Sequence, residues 1–150
     1  MRSVVQVVKA ASVECEGKTV SKIEKGFLVL LGVTKQDTQE QADALAAKIA
    51  GLRVFADENG KMNLSLEDVG GEVIVVSNFT LCADCSHGKR PSFINAQRPV
   101  QANELYEYFI KRLKFNGVPR VGTGVFGGDM LVHIENDGPV TLILDTDEWK

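Results

Sequence analysis

The most constraining feature of this chain is an uninterrupted apolar segment over residues 27–33, which lies between Gly26 and a polar stretch. The segment is short for a helix, and it lacks the polar alternation of a strand that has one face in water. We therefore expect a strand that is covered on both faces and lies at the centre of a sheet. A second apolar segment, residues 73–76, predicts another buried strand.

Alternating apolar and polar residues predict further strands, most of them short. Turn residues separate some of them, at Cys15-Glu16-Gly17 and over residues 57–60. Residues 66–71 are expected to form a loop or one helical turn. The remaining strands are expected over residues 3–8, 11–14, 18–23, 52–56, 61–64, 121–126, 130–134 and 140–144.

Two segments carry helical signals. Thr38 and Gln41 have the spacing of a capping box, and Gly51 is placed to end that helix. Arg98-Pro99 opens a second helix, because proline suits the first helical turn, and Gly117 follows its end. Each helix has one inward apolar face at helical spacing. These faces are Ala42, Leu45, Ala46 and Ile49 in the first helix, and Ala102, Leu105, Phe109 and Leu113 in the second.

Many strands and two helices with one apolar face each indicate an α/β fold, in which two sheet layers are covered by one helical layer. The chain has 150 residues, of which 44% are hydrophobic, and this is enough to bury a core. We expect a single domain over residues 1–150.

Composition also narrows the cellular setting. The chain has neither a basic-then-apolar start nor an apolar run of about 18 residues, so neither secretion nor membrane insertion is predicted. Three cysteines, an odd number, argue against a disulfide framework and fit a reducing compartment. We therefore expect a cytoplasmic protein.

Cys82 and Cys85 have the spacing of half a metal site or of a redox pair. A structural zinc needs four ligands, and the other candidates, Cys15, His87 and His133, form no second matching pair. We expect buried or loop cysteines, with no metal and no cofactor.

The formal net charge of -3 hides a local asymmetry. No acidic residue occurs from Cys85 to Asn103, a stretch that contains Lys89, Arg90 and Arg98. Such a basic patch can contact phosphates, while the acidic average discourages nonspecific RNA binding. A solvated loop explains three positive charges equally well.

Two polar segments directly follow apolar strands, at positions where packing of the core does not require these polar residues. Ser77-Asn78-Phe79-Thr80-Leu81 follows a buried strand, and Asn136-Asp137-Gly138-Pro139-Val140-Thr141 separates two apolar runs. Glycine allows close backbone approach and proline fixes φ, so the second segment is expected to be a turn between two strands. We expect the Gly138-Pro139 bond to be cis, with both carbonyls facing what lies opposite. Taken alone, the segment is also explained by a plain hairpin turn.

An ordinary ester hydrolase needs a nucleophile, an adjacent base and a group that orients the base. Ser77 and Thr80 are candidate hydroxyls, and His87 and His133 are the histidines. Neither histidine has a sequence spacing from Ser77 or Thr80 that indicates a catalytic pair, so the sequence does not predict a catalytic triad.

The chain resembles the D-aminoacyl-tRNA deacylases, in which the two polar segments read Ser-Gln-x-Thr-Leu and Asn-x-Gly-Pro-Val-Thr. The likeness covers nearly the whole chain. It also includes Met1-Arg2-Ser3-Val4-Val5-Gln6, residues 26–33, Gly60-Lys61-Met62-Asn63-Leu64, Arg90-Pro91-Ser92-Phe93 and Phe126-Gly127-Gly128-Asp129-Met130.

The resemblance implies a β/β/α sandwich with barrel-like sheets and two main helices. It implies hydrolysis of the ester in D-aminoacyl-tRNA, and of glycyl-tRNA, with the 2′-hydroxyl of the terminal ribose assisting. Thr80 as a nucleophile is the alternative, but an unassisted hydroxyl is poorly activated. Backbone N–H groups would serve as oxyanion donors. The residues implied to line the catalytic pocket are Ser77, Asn78, Phe79 and Thr80.

The resemblance also implies a homodimer with two composite sites. Gly138 and Pro139 would enter the partner's pocket and reject L side chains rather than recognise D side chains. The residues implied to support the pocket are Asn136, Thr141, Phe126, Gly128 and Met130, and those implied to contact tRNA are Lys89, Arg90 and Arg98.

Three positions depart from the family pattern. Val7 stands where an arginine usually braces the Gly-Pro loop, Asn78 stands for glutamine, and Gly128 stands for alanine. Valine cannot replace the five donors of arginine, so the loop needs another brace. The other two changes are expected to leave more room in the pocket. Val7, Asn78 and Gly128 together motivate a rival hypothesis, a relative with weak chiral selection. A rival of another class is a module that binds RNA ends without chemistry.

Overall fold

The computed structural model describes residues 1–149, which form one large curled sheet, a separate two-stranded sheet and helices packed on one face of the large sheet. The strands are β1 (Arg2–Cys15), β2 (Lys18–Ile23), β3 (Gly26–Gly32), β4 (Phe55–Ala56), β5 (Met62–Leu64), β6 (Glu72–Ser77), β7 (Val121–Thr123) and β8 (Met130–Asp145). The helices are α1 (Gln39–Gly51), α2 (Leu66–Val69) and α3 (Pro99–Phe115), with short 3₁₀ turns at Phe79–Cys82 and Thr146–Glu148. Within this part of the chain, no helix has the length and apolar character needed to cross a bilayer.

The main sheet has the order β2-β1-β3-β6-β7, and β8 pairs with the remaining edge of β1. β1 pairs with β3 through its first half, with β2 through its second half and with β8 along its whole length. The pairs β3–β6 and β6–β7 are parallel. The Ser21 hydroxyl of β2 donates to the Thr123 carbonyl of β7 at 2.8 Å. The two far strands therefore approach each other, and the sheet is nearly closed like a barrel.

Two buried clusters cover the two faces of β3. Phe27 and Val29 pack against α1 and α3, whereas Leu28 packs with Ile74 and Val76 inside the curled sheet. Burying a large apolar side chain stabilises the fold by about 1.5 to 3 kcal/mol. The central strand predicted from the apolar segment is confirmed, and so is the α/β class with two sheet layers and one helical layer.

The predicted start of α1 is confirmed. The Thr38 side chain caps the helix, and its backbone N–H donates to the Gln41 side chain at 2.8 Å. In α3, Tyr106 and Ile110 are buried and Leu105 is only half-buried. Tyr106 lies on the helical stripe that also contains residues 102, 109 and 113, and Leu105 lies beside that stripe.

The predicted breaks in two strands are wrong. Residues 3–8 and 11–14 belong to the single strand β1, because pairing with β8 continues across an irregularity at Lys9. Residues 130–134 and 140–144 likewise belong to the single strand β8. Ile134 lies opposite Ala11 and Leu142 opposite Val5, so both halves run antiparallel to β1. The segment 136–141 is therefore a bulge within a strand and not a turn between strands.

Smaller boundary corrections concern two other strands. The strand predicted over 52–56 is limited to β4, because Leu52 is still engaged in the cap of α1, where its N–H donates to the Ile49 carbonyl at 3.3 Å. The strand predicted over 121–126 ends at Thr123, and the following residues turn away from the sheet.

Tyr106 gives the core a pH-dependent contribution. Its buried hydroxyl donates to the Val75 carbonyl at 2.7 Å, and burial raises the pKa of Tyr106 to about 12. Because the folded pKa lies above the unfolded value of about 10, this stabilisation is complete below pH 10 and is lost as pH rises through 12. We expect Tyr106→Phe to lower the free energy of unfolding by about 1 kcal/mol at pH 7. In urea denaturation, the free energy of unfolding of Tyr106→Phe should also fall less steeply above pH 10 than that of the unmodified chain. If the two fall equally, the loss of stability at high pH comes from another group.

Candidate active site

A pocket of about 790 Å³ opens at the carboxyl ends of the parallel strands β3 and β6. Its floor is apolar and includes Leu30, Leu31 and Val76. The structure brings together residues 77–80 and 126–130, two predicted segments that are some 50 positions apart in sequence. The predicted residues that line the pocket are Ser77, Asn78, Phe79, Thr80, Phe126, Gly128 and Met130.

The segment that follows β6 is held against β3. The Asn78 N–H donates to the Leu31 carbonyl at 2.8 Å, and the Leu81 N–H donates to the Asn78 carbonyl at 3.2 Å. A Cβ on Gly32 would lie 2.9 Å from the Leu81 Cβ, so glycine lets this turn pack closely on the strand. The turn thereby presents Phe79 and Thr80 at the mouth of the pocket.

The N–H groups at the start of this turn are available to a ligand. A short helix leaves its first N–H groups without partners inside it. Within residues 1–149, the N–H groups of Phe79 and Thr80 donate to no carbonyl or side chain. Two adjacent free N–H groups beside a pocket are suited to an oxyanion.

Charged side chains are nearly absent from the described lining of the pocket. It contains no histidine, lysine or arginine, and Asp129 is its one charged residue. The Thr80 hydroxyl donates to the Asn78 side-chain oxygen. His133 instead pairs with Glu14 at 3.0 Å, and the His87 ring contacts the Ser86 hydroxyl. Neither histidine is placed to activate Ser77 or Thr80.

An exposed aromatic pair flanks the mouth of the pocket. The rings of Phe79 and Phe93 meet edge to face with centroids 5.1 Å apart, and they are 56% and 38% exposed. Sequence reasoning gave no site role to Phe93, nor to Gln97 and Asp129, which also line the pocket. An aromatic residue in a loop that contains several basic residues was the signal that could have identified Phe93.

The predicted basic contacts lie outside the pocket. Lys89, Arg90 and Arg98 are all exposed. Arg98 precedes α3 and stands between Gln97 and Pro99, both of which line the pocket. Their contact with RNA therefore stays a prediction.

Cys82 and Cys85 differ in environment. Cys82 is buried beneath the turn, where burial raises the pKa of its thiol, and Cys85 is exposed in the following loop.

The bulge of β8 lies away from the pocket of its own chain. Thr141 pairs with Gln6 and Asn136 with Val8, so four residues of β8 face Val7 alone. Gly138 and Pro139 are exposed, and the bond between them is cis, as predicted. The four predicted residues Asn136, Gly138, Pro139 and Thr141 are absent from the lining of this pocket.

Asn136 supplies the brace that the sequence left open. Its side-chain amide donates to the Val7 carbonyl at 2.9 Å and to the Val140 carbonyl at 3.1 Å. The Thr141 hydroxyl donates to the Gln6 side chain on the same side. The Val7 side chain is buried in the core, and only its backbone takes part.

The expectation of extra room at Gly128 is wrong. A Cβ there would lie 3.0 Å from the Cys15 sulfur and 3.1 Å from the Val125 Cβ. Gly128 therefore fits a crowded position in the pocket wall, and an alanine would require its neighbours to shift.

Comparisons with known proteins agree over the whole chain. A family model described as D-Tyr-tRNA(Tyr) deacylase matches residues 4–145. D-aminoacyl-tRNA deacylases of Clostridioides difficile (strain 630) and Koribacter versatilis (strain Ellin345) are 54% and 56% identical to it over 146 residues, which is 97% of this chain and of each relative.

Two solved structures share the fold of this chain. One described as c-Myc DNA Unwinding Element Binding Protein has a TM-score of 0.91 and 41% identity, covering 97% of this chain and 98% of that one. A probable eukaryotic D-amino acid tRNA deacylase has a TM-score of 0.80 at 16% identity, with coverage of 95% and 97%, and this likeness concerns the fold.

The curled sheet, the two long helices and the matched sequence define an enzyme of the hydrolase class that edits aminoacyl-tRNA. The chain belongs to the D-Tyr-tRNA(Tyr) deacylase family, whose curated relatives are named D-aminoacyl-tRNA deacylase. The resemblance found in the sequence is thereby confirmed.

Arg2 ties the pocket turn to the end of β8. Its guanidinium donates to the Leu81 carbonyl at 2.8 Å and to the Asp145 carboxylate at 3.0 Å. We expect Arg2→Gln to lower kcat on D-Tyr-tRNA about tenfold with little change in KM, since the loss of a charged hydrogen bond lets the turn shift. Arg2→Lys should recover part of the loss. The control is Arg53→Gln, which removes an exposed guanidinium that donates to the Asn63 carbonyl of β5. An equal loss in that control would contradict the positioning role.

Proposed function

We propose that this chain hydrolyses the ester between a D-amino acid and the terminal ribose of tRNA, releasing the free amino acid and the tRNA. The observation that carries this proposal is a pocket with free backbone donors at Phe79 and Thr80, no histidine in its described lining and a single carboxylate, Asp129, which is exposed. Such a site can stabilise an oxyanion and position an ester, but it leaves activation of water to the substrate.

The substrate has a group suited to that task. The 2′-hydroxyl of the terminal ribose lies beside the ester and can orient and polarise the attacking water. The water oxygen adds to the carbonyl carbon, the carbonyl oxygen is held by the two N–H groups, and the ester C–O bond then breaks. The proton from water goes to the ribose oxygen that leaves. Thr80, whose hydroxyl donates to Asn78, has a positioning role.

Chiral selection is proposed to come from a second copy of the chain. Gly138 and Pro139 project on a braced bulge that reaches no pocket in its own chain, and their carbonyls would form a wall in the partner's pocket. An L side chain must collide with that wall or remove water from its oxygens without replacing the hydrogen bonds. A D side chain points away from the wall. Glycine has no side chain to reject, so glycyl-tRNA is also a substrate under this proposal.

The outer edge of β8 supports a homodimer. Among the described strands β8 pairs with β1 only, so its other edge is unpaired over a long strand. Leu131 and Ile143 are 59% and 76% exposed on it. Exposed edges with apolar side chains are a frequent site of association, and a twofold dimer would bring each bulge to its partner.

A heterodimer tests the composite site. One chain carries Thr80→Trp, which blocks its pocket, and the other carries Gly138→Ala, which damages its bulge. If each bulge serves the partner's pocket, the single open pocket faces an intact bulge, so the heterodimer hydrolyses D-Tyr-tRNA and spares L-Tyr-tRNA. If the bulge serves its own pocket, the same heterodimer hydrolyses both esters. Sedimentation of the unmodified chain as a fully active monomer would also overturn the proposal.

A further inference from the structure

We propose that a groove lined by Lys22, Lys114 and Arg120, here called the basic groove, binds backbone phosphates of the tRNA substrate. This inference rests on the proposed function and extends it to the body of the RNA. The basic groove has a volume of about 360 Å³ and combines residues of β2 and α3 with the loop that precedes β7.

The basic groove has a surplus of positive charge. Glu72 is the one acidic residue among those described as lining it, and its carboxylate lies 3.5 Å from the Arg120 guanidinium. Among the residues that line the groove, three cations stand against one carboxylate, a surplus of two positive charges on a chain whose formal net charge is -3. A concave surface of this sign favours a polyanion.

Three other concave surfaces of the described chain have no such surplus. Near β1, Lys22 shares a second groove with Glu14 and Glu135. Arg2 shares a third with Asp84 and Asp147. The active-site pocket itself contributes one carboxylate and no cation. Since phosphate contacts supply much of the affinity for RNA, cations outside the pocket must provide it.

The basic groove and the pocket lie at opposite ends of the same elements. Strand β6 begins with Glu72 in the groove and ends with Ser77 in the pocket, and it runs parallel to β7. Helix α3 has Pro99 at the pocket and Lys114 at the groove. A helix of 17 residues is about 25 Å long.

This separation indicates which part of the RNA reaches the basic groove. For an RNA end that stacks on its helix, with at most about 3.4 Å of helix axis per nucleotide of one strand, 25 Å corresponds to roughly seven nucleotides or more from the esterified ribose. That distance passes the single-stranded end of a tRNA and enters its acceptor stem. The groove therefore contacts phosphates of double-stranded RNA and carries no sequence preference.

The test compares two substrates with and without the groove charges. The variant Lys114→Gln with Arg120→Gln is assayed on D-Tyr-tRNA and on the D-tyrosyl ester of a four-nucleotide RNA end, which is too short to reach the groove. We expect kcat/KM to fall about tenfold on tRNA, mainly through KM, and to be unchanged on the short ester. The negative slope of log affinity for uncharged tRNA against log salt concentration should become shallower by about 1.5. The matched control is Lys18→Gln with Lys61→Gln, two exposed lysines outside the groove.

An equal loss on both substrates, or no loss on tRNA with an unchanged salt slope, would overturn the inference. An equal loss in the control variant would also overturn it, since general charge would then account for binding. Failure of the proposed function is a separate result: the unmodified chain would hydrolyse neither ester, while the salt slope for uncharged tRNA would still report on the groove.

Discussion

Replacing Gly138 by alanine is expected to lower the free energy of unfolding by about 1 to 3 kcal/mol and to reduce discrimination against L-Tyr-tRNA. Gly138 has a φ of +120°, a conformation that L residues rarely adopt. A Cβ at this position would lie 2.8 Å from both the backbone nitrogen and a side-chain methyl of Val140. Relief of that clash must displace the bulge and the two carbonyls proposed to form the wall.

Gly60→Ala is the matched control for this experiment. Gly60 also has a positive φ, of +77°, but a Cβ there would meet nothing within 4 Å. Urea denaturation should therefore show a smaller loss for Gly60→Ala, and its ratio of D to L hydrolysis should equal that of the unmodified chain. If Gly138→Ala kept the full ratio while losing stability, the bulge would have a structural role and the wall would have to be sought elsewhere.

A substrate that lacks the 2′-hydroxyl of its terminal adenosine is expected to be hydrolysed about a thousandfold more slowly. The described lining of the pocket contains no histidine, and its one carboxylate, Asp129, is exposed, so removal of this hydroxyl removes the group proposed to orient water. Single-turnover rates on matched D-Tyr esters, one with and one without the 2′-hydroxyl, provide the measurement.

Thr80→Ala should have a much smaller effect, about tenfold, because it removes one hydrogen bond to Asn78 and leaves the backbone donors in place. Binding of the deoxy substrate, measured by competition, shows whether its slow turnover arises after binding. The reverse ranking, with Thr80→Ala the more damaging change, would identify Thr80 as the nucleophile.

Local sequence signals predicted those parts of the fold that depend on local chemistry. The apolar segment 27–33 predicted the central buried strand, and the pair Thr38 and Gln41 predicted the start of α1. Both predictions were confirmed. The bulge at Gly138 is a feature that the local sequence predicted only in part. Glycine and proline predict a bend, but whether the flanking segments pair with each other or with a third strand depends on the length of β1.

The sequence identified residues 77–80 and 126–130 as separate candidate segments, but it did not show that they line one pocket. Ser77 and Phe126 meet because β6 and β7 pair in parallel, which no local pattern reveals. The role of Arg2 depends on two partners far along the chain, at Leu81 and Asp145. The brace from Asn136 to the Val7 carbonyl was hidden for a different reason, since it uses a backbone group that valine shares with every other residue.

The measurement that tests the account most directly is the paired hydrolysis of D-Tyr-tRNA, L-Tyr-tRNA and Gly-tRNA by the unmodified chain. We predict rapid release of D-tyrosine and glycine, with L-Tyr-tRNA lost at the uncatalysed rate. Comparable rates on the D and L esters would contradict the chiral filter and favour the relative with weak selection. Loss of D-Tyr-tRNA at the uncatalysed rate in saturating protein would contradict catalysis itself and favour a module that binds RNA ends.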